Sequence, residues 1–351
     1  MTAAESDLDF GLKLKTAAAL SASGYSCRLN VALSAVGDIG LADVTDIDVL
    51  AIGRDLTFTP RLICASCKAG TNVGVAKELF YVRGVLDYVK GDEGVLLLSA
   101  KDLSPHLREL AGTLSLLVLA KSEVDSWCGS LVNGVKPPGY FETAAFREYE
   151  KARLAIPPSA SIASFLKADY WFYRDFRNVQ NLIGHLKKYG PQMDGTSSLH
   201  VTQCLDIAWH FSQTVLDLCL SVQRGGSSRL IESVNSYLFG GRTSYKARKD
   251  LLANVSQLLT KTGIARPNAM PSLDPPYASA LAELVVRFLE RPQAAIQVPL
   301  VLQDSIWRHL GAPGRDPPVS KNELAAFKLA QDLVDLLRIA ADLAWVPSVG
   351  A

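Results

Sequence analysis

The hydrophobic pattern of the first third of the chain switches between helical and strand periodicity. Residues 8–22 and 73–89 repeat apolar side chains at helical spacing, and Ser23-Gly24 ends the first of these helices. Period-2 or short apolar runs predict strands at 25–32, 46–52, 62–68, 95–99 and 114–120, with a short helix at 105–111. The order α-β-β-β-α-β-α-β predicts an α/β fold, a central mixed sheet with helices on both faces.

Beyond residue 140 nearly every apolar pattern has a period near 3.6, which predicts an all-α region. The stretch 126–160 is rich in Gly and Pro around one short helix at 141–154 and is interpreted as a linker. We therefore expect an α/β domain at 1–125, a linker at 126–160 and a helical domain at 161–351. Ser320 and Glu323 have capping-box spacing at the start of the last helix. The helices that follow the linker are predicted at 161–189, 198–222, 227–238, 243–261, 276–290, 295–310 and 321–345.

Composition and charge narrow the class of protein. The 351 residues are 48% hydrophobic and 20% charged, which is typical of a chain with a buried core, and the net charge of +1 argues against a polybasic tail protein. Apolar runs stay shorter than the ~18 residues of a membrane span, so no membrane association is expected. Glu5, Asp7 and Asp9 precede the first apolar segment, unlike a secretory signal, and we expect a cytoplasmic protein.

Charge is divided unevenly between the two predicted domains. Residues 1–125 hold 12 Lys and Arg against 16 Asp and Glu, a net charge of −4, whereas residues 126–351 carry +5. Within residues 126–351, Arg242, Lys246 and Lys249 fall at i, i+4 and i+7, which gives one basic helix face. Such a face can follow a nucleic-acid backbone or can simply be solvated.

Two neighbouring strands carry the candidate chemistry. Asp46 and Asp48 share one face of the strand at 46–52, and Ser66 and Lys68 share one face of the strand at 62–68. If these strands pair, a carboxylate lies beside an ammonium group. A carboxylate can hold Mg²⁺, and a lysine can offset charge on a phosphate, so the pattern indicates metal-assisted phosphodiester hydrolysis. The alternative is an ion pair at the surface without catalytic function.

The order of elements and three short segments resemble the PD-(D/E)XK restriction-endonuclease-like superfamily over about residues 8–122. The segments are Thr45-Asp46-Ile47-Asp48-Val49-Leu50-Ala51, Cys64-Ala65-Ser66-Cys67-Lys68-Ala69, and His106-Leu107-Arg108-Glu109-Leu110-Ala111 before a strand. Gly24-Tyr25 at the end of the first helix is similar to the Mrr-like branch. The resemblance implies a nuclease-like domain that acts on DNA, in restriction or anti-phage defence.

The resemblance also implies roles for individual residues. Asp48 matches the metal-binding aspartate, Lys68 the catalytic lysine, and Cys67 the residue whose backbone carbonyl contributes to the metal site. Ser66 stands where the family expects Glu or Asp, and Glu78 on the following helix is the candidate replacement ligand. Gly11 is a second departure, near a position where related proteins carry a glutamate on the first helix. The implied cofactor is Mg²⁺ or Mn²⁺.

Two functions remain open from the sequence. The first is a divalent-metal-dependent DNA endonuclease whose helical domain supplies DNA contacts, a protein-partner surface or a homo-oligomer interface. The second is a decayed nuclease fold that acts as a DNA-binding or scaffolding subunit, since Ser66 cannot replace a charged ligand. Glu78 could equally be a helix-surface residue paired with Lys77 or Arg83.

Overall fold

The structure is a computed structural model. It describes residues 3–37, 40–70, 73–98, 103–132, 143–155, 159–173, 176–225, 230–262, 273–311 and 320–349.

The N-terminal part confirms the predicted order of elements and the mixed sheet. Strand order along the sheet is β1-β2-β3-β4-β5; β1, β2 and β3 pair antiparallel, and β3, β4 and β5 pair parallel. Parallel neighbours require a crossover, and α2 and α3 provide it. The elements are α1 Ala3–Ala22, β1 Ser26–Gly37, β2 Gly40–Arg54, β3 Pro60–Lys68, α2 Val75–Val89, β4 Glu93–Leu98, α3 Pro105–Thr113, β5 Leu116–Leu119 and α4 Lys121–Val132.

Helices cover both faces of this sheet. On one face Leu20 of α1 and Val124 of α4 pack against Val49 and Cys67 in one buried cluster. On the other, Leu79 and its neighbours on α2 pack into the second cluster. The alternation of side chains along each strand explains why both faces are apolar. Helix α4 was not predicted: its second half falls at the start of the predicted linker, yet it packs on α1.

The described elements after β5 are all helical, as predicted. Helix α9 is their centre, and the side chains of residues 201–216 are all buried, as expected of a helix surrounded by others. None of the described helices is long and apolar enough to cross a membrane. These helices are α5 Thr143–Arg153, α6 Ser159–Ser164, α7 Tyr170–Tyr173, α8 Arg177–Tyr189, α9 Ser198–Gly225, α10 Leu230–Leu238, α11 Arg242–Lys261, α12 Ala278–Glu290, α13 Pro292–Ala295, α14 Val298–His309 and α15 Lys321–Ala341.

One predicted helix is broken. The stretch 161–189 contains a π-helical segment at Phe165–Asp169 and separate helices α7 and α8. Side chains satisfy the backbone groups that the break releases: Trp171 Nε1 donates to the Leu166 carbonyl at 3.0 Å, and Asn178 Nδ2 donates to the Tyr170 carbonyl at 2.9 Å. Periodicity alone does not reveal such side-chain substitutes. The capping box of Ser320 and Glu323 is present as predicted.

The edge strand β1 lies against the helical part. The Gln303 amide of α14 donates to the Cys27 carbonyl at 3.2 Å and accepts from the Cys27 N–H at 3.4 Å, so it takes the place of a further strand. Gln213 of α9 donates to Ser26 Oγ at 3.0 Å. The α/β and helical parts are therefore in direct contact, while their division at 126–160 stays a prediction.

A buried ion pair and a tyrosine hydroxyl, here called the interface ion cluster, lie at this contact; the cluster consists of Arg28, Asp206 and Tyr149. Arg28 Nη2 lies 2.6 Å from Asp206 Oδ1, and Arg28 Nη1 donates to Tyr149 Oη at 2.7 Å. Tyr149 Oη donates to Asp206 Oδ1 at 3.0 Å, and the guanidinium carbon lies 3.7 Å from the Trp209 ring centroid. Each charge has a partner of opposite sign or a ring face, as burial requires.

Candidate functional site

The site begins where two strands of the sheet separate. The ladder between β2 and β3 pairs Val49 with Ala65, and the residues next to this pair towards the open end are Asp48 and Ser66. Asp48 Oδ2 accepts hydrogen bonds from the Cys67 N–H at 2.8 Å and from Ser66 Oγ at 3.2 Å. A carboxylate therefore bridges the strands where their backbone pairing stops. Asp48 is only 6% exposed.

The predicted acid and lysine meet at this point. Lys68 Nζ lies 3.7 Å from Asp48 Oδ2 and 4.0 Å from Glu78 Oε2. Glu78 is in the first turn of α2 and reaches back over the end of β3. Arg83 pairs with Asp87 instead, so the alternative in which Arg83 pairs with Glu78 is wrong. The three residues singled out from separate segments thus form one contiguous group.

Electrostatics favour the charged form of Lys68. Partial burial favours the neutral amine, but the carboxylates of Asp48, Glu78 and Asp9 outweigh it, and they raise the pKa of Lys68 above its ordinary value. The Lys68 side chain is 31% exposed, so it is accessible to a ligand. We conclude that an ammonium group faces the solvent-exposed side of the cluster at neutral pH.

A second lysine, which sequence reasoning missed, holds the other oxygen of Asp48. Lys13 Nζ lies 2.6 Å from Asp48 Oδ1 and 2.8 Å from Asn30 Oδ1. Lys13 projects from α1, and Asn30 lies on β1. Both oxygens of Asp48 are therefore engaged, one by an ammonium group and the other by hydrogen-bond donors.

Helix α1 also brings a third carboxylate, that of Asp9, which accepts from the Ala69 N–H at 2.6 Å. Asp9, Lys13 and Thr16 stand at i, i+4 and i+7, the spacing of one helix face, and this polar stripe was the available sequence signal. Gly11, the second departure from the family pattern, lies between Asp9 and Lys13 in the sequence. A Cβ added at Gly11 would have no neighbouring atom within 4 Å. We call Asp9, Lys13, Asp48, Lys68 and Glu78 the sheet-end cluster.

Cys67 lies between Ser66 and Lys68 on β3. Its thiol is fully buried and lies 3.9 Å from Thr16 Oγ1. Burial raises the pKa of the thiol, so the sulfur stays protonated and is a poor ligand. The predicted contribution of its backbone carbonyl to a metal site stays a prediction.

Tyr81 on α2 closes the cluster beside β2. Its hydroxyl contacts Thr45 Oγ1 and donates to the Asp46 carbonyl at 3.0 Å. Burial raises the pKa of this phenol, so it remains a neutral donor. The Asp46 side chain is exposed, and Asp46 contributes to the site through its backbone.

The donor atoms suit a hard cation in kind, although they are not arranged as a metal site. Asp9, Asp48 and Glu78 supply carboxylate oxygens, and these three carboxylates exceed the two ammonium groups of Lys13 and Lys68 by one. Within the part of the chain that the structure describes, no three His, Cys, Asp or Glu residues are grouped closely enough to hold a metal. At Asp48, the ammonium group of Lys13 is paired with Oδ1 instead of a metal.

No family model matches this chain. No curated protein matches it either. A crystal structure of a protein of unknown function, AF1548, is similar over 42% of this chain and 77% of its own, at 17% identity and a TM-score of 0.27. A likeness at this level carries no argument about the site.

The predicted basic face lies on α11, in the helical part. Arg242, Lys246 and Lys249 are all exposed, and Tyr245 is the buried residue of the helix. Arg242 donates to the Gly225 carbonyl at 3.1 Å, and Lys249 Nζ lies 5.7 Å from the Tyr245 ring centroid. The three cations are thus accessible along one face.

Proposed function

We propose that this protein is a divalent-metal-dependent DNA endonuclease with its site at Asp48, Lys68 and Glu78. One observation carries the proposal: side chains from β2, β3 and α2 converge so that Lys68 Nζ lies within 4.0 Å of both carboxylates. A surface ion pair needs two residues, whereas three predicted residues meet here at the open end of a sheet. The resemblance to the PD-(D/E)XK superfamily motivates the choice of DNA as substrate.

Asp48 and Glu78, together with the Cys67 carbonyl, would hold Mg²⁺ or Mn²⁺. Their donors are hard oxygens, and the carboxylates of the cluster exceed its ammonium groups by one, which leaves net negative charge for a cation. When bound, the metal supplies a water of lowered pKa and polarises a phosphate oxygen.

Lys68 acts as an electrostatic group. Neighbouring carboxylates raise the pKa of Lys68 above its ordinary value, which favours its protonated form. Its ammonium group is available to offset negative charge on a phosphate. Asp48 orients Lys68 from the β2 side, and Glu78 does so from α2.

Plasmid cleavage tests this proposal. The purified protein is incubated with supercoiled plasmid and Mg²⁺ or Mn²⁺, beside Asp48→Ala, Lys68→Ala and the matched control Lys77→Ala. Lys77 is exposed on α2 next to Glu78 and lies outside the sheet-end cluster. We expect cleavage by the wild type and by Lys77→Ala only. Undiminished cleavage by Asp48→Ala or Lys68→Ala overturns the assignment.

DNA contacts are assigned to the basic face of α11. Each phosphate contact releases counterions, so replacing Arg242, Lys246 and Lys249 by Ala should lower the salt dependence of log K by about 2 to 3. Fluorescence anisotropy with duplex DNA between low and moderate salt measures this slope. Lys321→Ala combined with Lys328→Ala on α15 is the control for loss of charge elsewhere, and an equal change in slope there contradicts the assignment.

A second candidate function is a non-catalytic DNA-binding or scaffolding subunit, as in a restriction or anti-phage assembly. The engagement of both Asp48 oxygens by Lys13, Cys67 and Ser66 favours it. Mn²⁺ calorimetry separates the two functions, since Mn²⁺ binding that Asp48→Ala abolishes contradicts a decayed site.

A further inference from the structure

Helix α11 exposes a row of large apolar side chains on one face. Tyr245 is the buried residue of this 20-residue helix, and α10 packs against it. Four side chains of its second half stand at i, i+4, i+7 and i+8 and are between 37% and 63% exposed: Leu251, Val255, Leu258 and Leu259. We call these four the apolar stripe. A helix usually turns such a face towards a core or a partner, so the stripe is a candidate contact surface.

The apolar stripe lies in an uncharged half of the helix. Residues 251–260 read LLANVSQLLT and contain no acidic or basic side chain. The charged residues of α11 come before and after this run, and they are Arg242, Lys246, Arg248, Lys249, Asp250 and Lys261. An acidic or basic partner would find no opposite charge along the stripe, so a second apolar surface is the complement that fits.

The apolar positions of this half are symmetric about Val255. Leu251 and Leu259 lie four residues from it in either direction, and Leu252 and Leu258 lie three residues from it. Two antiparallel copies of α11 that meet at Val255 therefore place each of these side chains beside an apolar side chain of the other copy. A two-fold interface requires such self-complementarity, because the same surface meets itself.

The charges at the two ends of the stripe favour the antiparallel direction. Asp250 and Lys261 are both exposed and stand eleven positions apart, which places them on one flank of the helix at about 100° per residue. Antiparallel copies bring Asp250 of one chain beside Lys261 of the other, whereas parallel copies bring like charges together. The occupant that matches both the apolar pattern and these charges is thus a second copy of this chain.

We infer that two copies of this chain associate through the apolar stripes of α11, packed antiparallel about a two-fold axis at Val255. This association does not require the endonuclease function. Arg242, Lys246 and Lys249 lie on the opposite side of α11, at about 100° per residue, so both copies keep the basic face exposed. Because one half-helix per copy forms the contact, its area is small for a stable complex, and the association depends on concentration.

Sedimentation equilibrium of the full chain at increasing protein concentration tests the association. We expect the mass of the wild type to rise from that of one chain towards that of two. Val255→Glu places two carboxylates against each other on the axis and should weaken the dimer at least ~100-fold. Leu324→Glu is the matched control, because Leu324 is 56% exposed on α15, and should leave the dimer unchanged. A wild type that keeps the mass of one chain throughout, or equal effects of the two variants, overturns the inference.

Cysteine cross-linking tests the direction of packing. The six native cysteines are buried, so a thiol introduced on the surface is the one that reacts. Under a mild oxidant, Val255→Cys should cross-link to itself, whereas Ala253→Cys, exposed on the opposite side of the helix, should not.

A mixture of Leu251→Cys and Leu259→Cys proteins completes this test. The mixture should cross-link, while neither protein should do so alone, because antiparallel packing holds identical positions roughly 12 Å apart along the helix. If Leu251→Cys cross-links to itself and the mixture yields no mixed dimer, the copies are parallel and the two-fold arrangement at Val255 is wrong.

Discussion

The interface ion cluster and the sheet-end cluster differ in how completely their charges are balanced. In the interface ion cluster, Arg28 and Asp206 pair at 2.6 Å, and the Asp206 side chain is 2% exposed. In the sheet-end cluster, Lys68 and Glu78 approach to only 4.0 Å and remain partly exposed. The first is buried and ties β1 to the helical part. The second has an excess carboxylate and an accessible ammonium group, as a binding site requires.

The two clusters show that pairs of acidic and basic side chains can hold a structure together when they are buried and can form a candidate binding site when they are partly exposed. Burial favours a neutral Asp206, but Arg28 and Arg153 hold its pKa below the ordinary value, so the pair stays ionised inside the protein. A buried pair of this kind is costly to break on one side. At the sheet end, Lys68 and Glu78 are partly exposed, so solvent screens their charges, and we expect substitutions of these two residues to affect function far more than stability.

The largest effect on stability is expected for Asp206→Asn. This change keeps the shape of the side chain and leaves the Arg28 guanidinium buried without its counter-charge, which should cost about 3 kcal/mol of the free energy of unfolding. Urea denaturation followed by circular dichroism measures it. The control is Asp332→Asn, which removes an ion pair with Arg287 that is 2.8 Å long but exposed, and should cost less than about 1 kcal/mol. Equal losses in the free energy of unfolding for Asp206→Asn and Asp332→Asn would contradict the difference between a buried and an exposed ion pair.

His210 gives the interface ion cluster a pH dependence. Its Nδ1 lies 2.7 Å from the Asp206 carbonyl, so the neutral ring donates there, and burial lowers the pKa of His210 to about 3. The unfolded chain takes up this proton near pH 6.5, so stability is present above that pH and is lost as pH falls towards 3. Between pH 7 and pH 5 the loss from this residue should be about 2 kcal/mol.

Urea titrations at pH 7, 6 and 5 check this expectation. His210→Asn keeps a donor near the Asp206 carbonyl but removes the titrating group. The free energy of unfolding of this variant should therefore fall by about 2 kcal/mol less between pH 7 and pH 5 than that of the wild type. His185, whose pKa burial lowers, is the same in both proteins, so its contribution cancels in the difference. Parallel pH profiles for the two proteins would show that His210 is not the group responsible.

Periodicity and motif spacing predicted most of the sheet and three members of the site. Alternating apolar runs located β2 and β3, so the neighbourhood of Asp48 and Lys68 followed from strand pairing alone. Lys13 and Asn30 were missed because their roles depend on where α1 crosses the sheet and on a left-handed residue inside a strand. The interface ion cluster was missed as well, since Arg28 and Asp206 are 178 positions apart and only the packing of α9 on β1 brings them together.

The smallest effect on stability, with a large effect on activity, is expected for Glu78→Gln. Its contact with Lys68 is 4.0 Å long and partly exposed, so the free energy of unfolding should change by less than about 0.5 kcal/mol. The loss of a charged group at the reacting centre should slow plasmid cleavage by about 100-fold.

Arg83→Ala on the same helix is the matched comparison. It removes the exposed i,i+4 pair with Asp87, so it should cost about 0.3–0.5 kcal/mol and leave cleavage unchanged. Urea denaturation and plasmid-cleavage rates are measured on both variants. We expect Glu78→Gln to lose activity with little change in stability, and Arg83→Ala to keep its activity. If Glu78→Gln lost stability without losing activity, the sheet-end cluster would be structural in the same sense as the interface ion cluster, and the site would have to be sought elsewhere.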